Sequence, residues 1–314
     1  MISSSPTFGL YSKDPLDLLY SRGCQVEILQ KDITSNEEKF AKALSDADAL
    51  IVGVETITPG VLKYAAKLKV IAKHGAGVDN IDLKEAEKKG ILVTNAPGAN
   101  RHAVADMVFG LFLSIARQIP SAYQEVKEKK WPRVVGNEIF QKNLGVIGTG
   151  RIGKEVIRRA QGFNMKVRCY DLFQDEQIEQ QGLGKYVPFQ ELLKESDFIT
   201  IHTDLNQETK AMIGKEELSL MKESAFIVNT ARGGIIDEQA LYDTLKAGLI
   251  RGAAIDVFEN EPLSDSPLLN LPNFIATPHM AGYTEEALRE VGMLTAQNVL
   301  DVLEGRQAAY LVPS

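Results

Sequence analysis

Residues 143–153, N-L-G-V-I-G-T-G-R-I-G, limit what this chain can fold into more than any other stretch. Residues 144–147 form a short apolar run, the pattern of a buried parallel strand. Gly148, Gly150 and Gly153 follow at the G-x-G-x-x-G spacing. Gly148 permits a tight turn out of the strand. Gly150 removes a side chain so that a pyrophosphate can approach the backbone, and Gly153 lets a new helix pack close to the strand. The helix N-terminus adds unpaired N–H groups and the positive end of the dipole, with Arg151 and Ile152 in its first turn. Turns with these glycines also occur without a ligand, so the surrounding chain has to decide.

That chain alternates strands and helices, the pattern of parallel α/β layers. Strands are expected over 25–29, 48–52, 69–72, 91–94, 166–170, 198–202, 225–229, 253–257 and 274–276, with one before Phe8 poorly marked. Helices are expected over 15–21, 37–44, 59–67, 82–89, 102–118, 123–131, 154–161, 215–220, 238–247 and 284–304. A length of 314 residues suffices for two domains. The net charge of -7 argues against a nucleic-acid surface. Two widely spaced cysteines, Cys24 and Cys169, are expected as buried reduced thiols of a cytoplasmic protein. No secretory signal is visible, the apolar run 107–116 is too short to span a bilayer, and no histidine pair has metal-ligand spacing, so neither membrane nor metal is expected.

Asp171 ends the strand after the glycine turn, 18 residues beyond Gly153. A carboxylate there can accept from the ribose hydroxyls of a dinucleotide and repel an added 2′-phosphate, which predicts NAD over NADP. Three further sites lie just past expected strands: Arg232 in N-T-A-R-G-G, Asp256, Glu259 and Glu261 in D-V-F-E-N-E-P, and His279 in T-P-H-M-A-G-Y. Separately each has an ordinary structural explanation. Together, in one doubly wound domain, they suit hydride exchange: a histidine handles the proton, a carboxylate holds its ring, and an arginine anchors a substrate carboxylate. In the first third, Gly75, Ala76 and Gly77 form a small-residue loop at a strand end, where backbone N–H groups can face an anion. Asn100 can cap the long helix that follows it.

These motifs, with K-H-G-A-G-V-D-N-I-D and N-A-P-G-A-N, make the chain resemble the NAD-dependent D-2-hydroxyacid dehydrogenase family over nearly its whole length. The resemblance implies two Rossmann-like, doubly wound parallel-sheet α/β domains with a cleft between them. It divides the chain into a discontinuous substrate domain, 1–101 plus 283–314, and an NAD-binding domain, 102–282. It implies a catalytic set of Arg232, Glu261 and His279, with Glu261 preferred to Glu259 because it immediately precedes proline. It places Arg151 and Ile152 at the pyrophosphate and Asp171 at the ribose. Around the rest of the cofactor it places His202, Thr203, Thr230, Ala231, Asp256, Ala281 and Gly282. Lys73, Gly75, Ala76, Gly77 and Asn100 fall on the substrate side, and a homodimer is implied through 102–131.

Two departures stand out. The family's H-x-P-L run reads His202, Thr203, Asp204, Leu205 here, and Asp106 replaces a usual glutamate. The substrate is open between phosphohydroxypyruvate, in the manner of phosphoglycerate dehydrogenases without a regulatory domain, and unphosphorylated acids such as glyoxylate, hydroxypyruvate or a branched 2-keto acid. Phosphoglycerate enzymes often carry an arginine–serine pair where this chain has 53–56, G-V-E-T; Glu55 would repel a phosphate, and Lys73 or Arg101 would compensate. A non-enzymatic relative, an NAD-sensing corepressor, is the alternative from another class.

Overall fold

The computed structural model describes residues 1–313. The chain forms two compact units, Met1–Asn100 with Gly282–Ser314, and Arg101–Ala281.

The first unit is built on five parallel strands: β1 (Ile2–Ser3), β2 (Glu27–Ile28), β3 (Ala49–Val52), β4 (Val70–Lys73) and β5 (Leu92–Thr94), in the order β2-β1-β3-β4-β5. β3 and β4 are almost wholly buried, as strands covered on both faces must be. Leu50, Val52 and Ile71 face one apolar cluster with Phe40 and Leu62. Ile51, Val70 and Ala72 face the other, with Leu16, Leu19, Val299 and Leu300. The last two belong to the helix Glu285–Leu303, capped by Thr284, whose hydroxyl accepts from Ala287 N.

The second unit holds seven parallel strands: β6 (Asn143–Ile147), β7 (Lys166–Tyr170), β8 (Lys185–Tyr186), β9 (Phe198–Ile201), β10 (Phe226–Asn229), β11 (Gly252–Ile255) and β12 (Phe274–Ala276). Their order is β12-β11-β10-β9-β6-β7-β8. Side chains alternate between two cores along each strand: Phe198, Phe226 and Val228 on one face, Ile199, Ile201 and Ile227 on the other. Each such buried side chain contributes about 1.5–3 kcal/mol. The helix Arg101–Ala116 is the main cover of the first face, with Phe112 edge-on to Phe198 at 5.1 Å between centroids. Strand order reverses at β6, between β7 and β9, and in an open parallel sheet that is where a crevice forms at the carboxyl ends.

Several expectations need correction. Residues 59–67 form successive turns instead of a helix, because Gly60 follows Pro59 and the bonds close at three residues (Lys63 N to Gly60 O, Ala65 N to Leu62 O). The helix expected over 123–131 spans Ile119–Lys127, with Pro120 in its first turn, and ends as Lys129 takes a φ of 62°. The weakly marked first strand is real. Helices Glu176–Gln180 and Phe189–Glu195 and strand β8 had no recognised signal, being only two to seven residues long. Cys169 is buried, and burial pushes its thiol up to about 12, but Cys24 is only half-buried. Asn100 does not cap the following helix through its side chain: its Oδ1 is buried without a hydrogen-bond partner.

Candidate active site

The glycine turn leaves β6 at Gly148, where φ is +90° and a Cβ would come within 2.6 Å of His202 O. Gly153 opens the tight packing of helix Arg151–Gly162 on that turn, since a Cβ there would lie 2.1 Å from Gly148 O. Gly150 differs. A Cβ on it would meet no atom within 4 Å, so nothing in the protein itself requires the missing side chain. Gly150 is also the N-cap and offers no side-chain cap, so the first N–H groups of the helix face open space. A pyrophosphate fits this cradle. Arg151 is exposed beside it, whereas the Ile152 side chain packs into the core, so Ile152 can serve only through its backbone.

Asp171, just past β7, accepts at Oδ2 from Thr149 N at 2.6 Å and Thr149 Oγ1 at 3.0 Å, and at Oδ1 from Phe173 N at 2.9 Å. Three of the roughly four acceptor positions of a carboxylate are therefore filled, which leaves one, on Oδ1, for a ribose hydroxyl.

His202 sits beside the turn, with its N–H donating to Ile147 O at 2.7 Å. Burial drives its imidazole down to about 3, so it is a neutral ring bonded to Thr200 Oγ1 at 3.0 Å. Thr203 Oγ1 and Thr230 Oγ1 are buried and without a partner, polar atoms of the kind a ligand satisfies. Ala231 is buried, with its N–H on Asn229 Oδ1 at 2.9 Å. Asp204 is exposed.

Asp256 is fully buried. Its Oδ1 accepts from Thr277 Oγ1 at 2.5 Å and Met280 N at 2.9 Å, and its Oδ2 accepts from Ala281 N at 2.9 Å. Its carbonyl takes the His279 N–H at 2.8 Å. Asp256 thus holds the backbone on both sides of His279, which adopts φ +51°. The His279 ring is exposed and sets Nδ1 2.7 Å from Glu261 Oε2. The other Glu261 oxygen accepts from Phe258 N at 2.9 Å, so the glutamate is fixed at both ends. A carboxylate can only accept, so His279 carries a proton on Nδ1, which leaves Nε2 able to exchange one.

Arg232 follows β10, half-buried, with Nη1 donating to Ala231 O at 2.7 Å and its own carbonyl accepting from Asn229 Nδ2 at 2.9 Å. The next residue has to be glycine: a Cβ on Gly233 would lie 2.0 Å from Phe258 O.

In the first unit, Lys73 Nζ donates to Gly53 O at 2.5 Å and Asn80 Oδ1 at 2.8 Å. Glu55 Oε2 accepts from Ser4 Oγ at 3.0 Å and Gly53 N at 3.1 Å. Both charges therefore serve the end of β3. The 75–77 loop is half-exposed and tied back by Ala96 N to Gly75 O and Asn95 Nδ2 to Ala76 O. Gly282 belongs to this unit and packs on Asn100, whose Nδ2 would lie 2.7 Å from a Cβ.

Sequence reasoning missed Thr149, Tyr186, Asn229 and Asn80. Thr149 and Asn229 lie inside motifs already noticed, and their roles as ties to Asp171 and the Arg232 loop follow only from distances. Tyr186, which touches Thr149 at 2.8 Å, carries no local signal.

The sequence model of the D-isomer specific 2-hydroxyacid dehydrogenase NAD-binding domain matches residues 109–281. The chain is 46% identical over 280 residues to a D-3-phosphoglycerate dehydrogenase of Methanocaldococcus jannaschii, covering 88% of this chain and 53% of that protein. It is 39% identical over 307 residues to a hydroxypyruvate reductase of Thermotoga maritima, covering 94% and 98%. The chain spans about half the length of the phosphoglycerate dehydrogenases it matches. Its structure superposes on D-lactate dehydrogenase from Aquifex aeolicus, complexed with NAD and lactic acid, with a TM-score of 0.84 at 31% identity, covering 100% and 99%. NAD is the dinucleotide of the matched domain, and the Gly150 cradle and Asp171 fit it. With the family model covering more than half of its residues, the chain belongs to the D-isomer specific 2-hydroxyacid dehydrogenases.

Proposed function

We propose that this protein is an NAD-dependent dehydrogenase that interconverts a short D-2-hydroxy acid and its 2-oxo acid. The observation that carries the proposal is the exposed His279 ring, fixed at Nδ1 by a glutamate that is itself fixed. Bound NAD supplies the two-electron exchange at the 2-carbon. His279 Nε2 takes the hydroxyl proton in oxidation and returns one to the oxygen in reduction. Glu261 stabilises the imidazolium that forms between these events. Arg232 anchors the substrate carboxylate and polarises the 2-oxo group.

Within this reading, an unphosphorylated acid such as glyoxylate or hydroxypyruvate suits the first unit better, because Glu55 is a carboxylate at the end of β3 and Lys73 is bonded to Gly53 O and Asn80. The 46% identity to a phosphoglycerate dehydrogenase favours phosphohydroxypyruvate as the second reading. We propose a homodimer in the cytoplasm. Support comes from exposed apolar side chains between 119 and 140, among them Ile119, Tyr123, Trp131 and Val135, and from two free thiols. No single helix among the described residues is long and apolar enough to cross a membrane.

The test is NADH consumption with glyoxylate, hydroxypyruvate, phosphohydroxypyruvate, pyruvate and branched 2-oxo acids, repeated with NADPH. Turnover of at least one acid, with higher kcat/KM for NADH, is the expected result. Tight NADH binding with no turnover of any acid would instead indicate a nucleotide-sensing protein. A clear NADPH preference would remove the role given to Asp171.

A further inference from the structure

The carboxylate that meets the ribose is the last member of a hydrogen-bond chain. Asp175 N donates to Tyr186 Oη at 2.9 Å, Tyr186 Oη lies 2.8 Å from Thr149 Oγ1, and Thr149 Oγ1 lies 3.0 Å from Asp171 Oδ2. The direction of each bond is set from the two ends. A backbone N–H can only donate and a carboxylate can only accept. Thr149 has one hydroxyl proton, and it goes to Asp171. The bond between the two hydroxyls therefore carries the tyrosine proton, and every dipole in the chain points towards Asp171.

The far end is pinned independently. Asp175 caps the helix Glu176–Gln180 by accepting from Gln177 N at 3.0 Å, and pairs with Lys154 at 2.5 Å. Tyr186 is tied through its own N–H to Glu179 Oε1 at 2.8 Å. Thr149 is 3% exposed, so its hydroxyl has little access to water as a substitute donor.

We propose that Tyr186, acting through Thr149, is a positioning residue for the dinucleotide and sharpens the choice of NAD over NADP. It fills Oδ2 from within the protein, so the acceptor left over is on Oδ1 and is offered to the adenosine ribose. It also keeps a fixed negative group where the 2′-phosphate of NADP would have to lie. This rests on the assignment of Asp171 to the ribose, which Asp171→Ala tests by itself.

The experiment measures dissociation constants of NADH and NADPH by fluorescence titration of the full chain, with no oxo acid present. Tyr186→Phe is expected to weaken NADH about five-fold and Thr149→Val about ten-fold, the range of one or two modest hydrogen bonds. NADPH affinity changes less in both, so discrimination narrows. Thr149→Ser keeps the hydroxyl and retains wild-type affinity. In an Asp171→Ala background, Tyr186→Phe adds less than about two-fold, because the chain no longer has an end. An equal loss for both nucleotides, a Tyr186→Phe effect undiminished by Asp171→Ala, or unchanged binding in Tyr186→Phe and Thr149→Val would each overturn the relay. If Asp171→Ala alone left NADH affinity unchanged, the ribose assignment itself would fall.

Discussion

The carboxyl ends of the two parallel sheets use charge in different ways. In the seven-stranded sheet, acidic groups are held from behind by donors, and what they hold is left available: an acceptor position on Asp171 and the exposed ring of His279. Asp171 is gripped by Thr149 and Phe173 N, and Glu261 is gripped by Phe258 N while it orients His279. In the five-stranded sheet, the charges close on the fold. Lys73 is bonded to Gly53 O and Asn80, Glu55 is bonded to Ser4 and Gly53 N, and the buried His74 sets Nδ1 2.9 Å from Ser5 Oγ. A preorganised group exposes a reactive atom without having to reorganise, whereas a saturated group mainly fixes the shape of a loop. The seven-stranded sheet therefore ends in preorganised groups, and the five-stranded sheet in groups that fix the shape of their loops.

The largest test of this contrast is His279→Asn. It removes the proton carrier but leaves the glycine turn alone, so turnover is expected to fall about a thousand-fold, within the usual range for a general acid–base, with NADH affinity nearly unchanged. Unchanged turnover would end the distinction between the two sheet ends.

Gly153→Ala comes next. Its Cβ would press on Gly148 O, which is backbone and cannot yield cheaply. An NADH affinity at least ten-fold weaker is expected, with a loss of about 1–3 kcal/mol in stability by urea unfolding. The contrasting substitution Gly150→Ala meets no protein atom, so it should weaken NADH while leaving the apoprotein as stable as before.

Acid unfolding probes both sheets together. Burial lowers His202 to about 3, and burial together with Lys73 lowers His74 to about 4, from an ordinary value of 6.5. Each is neutral in the folded chain and gains a proton on unfolding below about 6.5. Its contribution is thus complete above that pH and is lost as pH falls, towards about 4 for His74 and about 3 for His202. The slope approaches about 1.4 kcal/mol per pH unit for each histidine. Urea unfolding of His74→Asn between pH 4 and pH 6.5 should show a shallower dependence than the wild type. An identical slope would mean that His74 takes up its proton in the folded state too.

The smallest effect is expected for Lys73→Ala. Because Lys73 fixes Gly53 and Asn80, its loss should raise KM about three-fold for every oxo acid alike. A rise confined to phosphohydroxypyruvate would make Lys73 a phosphate anchor and blur the contrast between the sheets.

Much of this was legible in the primary structure because it is local. The β6 run, the three glycines, Asp171 at the end of β7 and the proline after Glu261 each declare themselves within a few residues, since turn sterics and strand burial act at short range. The expected helix at 59–67 failed for the opposite reason: Pro59 at a first-turn position suggested it, but Gly60 and the burial of Val61, Leu62, Ala65 and Leu68 favoured successive turns. Two-residue strands such as β1 and β8 are too short for any periodicity and exist because neighbouring strands pair with them.

The sequence by itself determined the parallel α/β architecture, the dinucleotide turn and the residue types able to move a proton, since these follow from patterns along the chain. Only the tertiary structure decided which oxygen of Asp171 keeps an open acceptor position and which nitrogen of His279 meets Glu261. It also decided that Tyr186 and Asp256 stand behind them. Each of those depends on hydrogen bonds between residues 18 to 37 positions apart in sequence, whose distance and direction exist only once the strands are side by side.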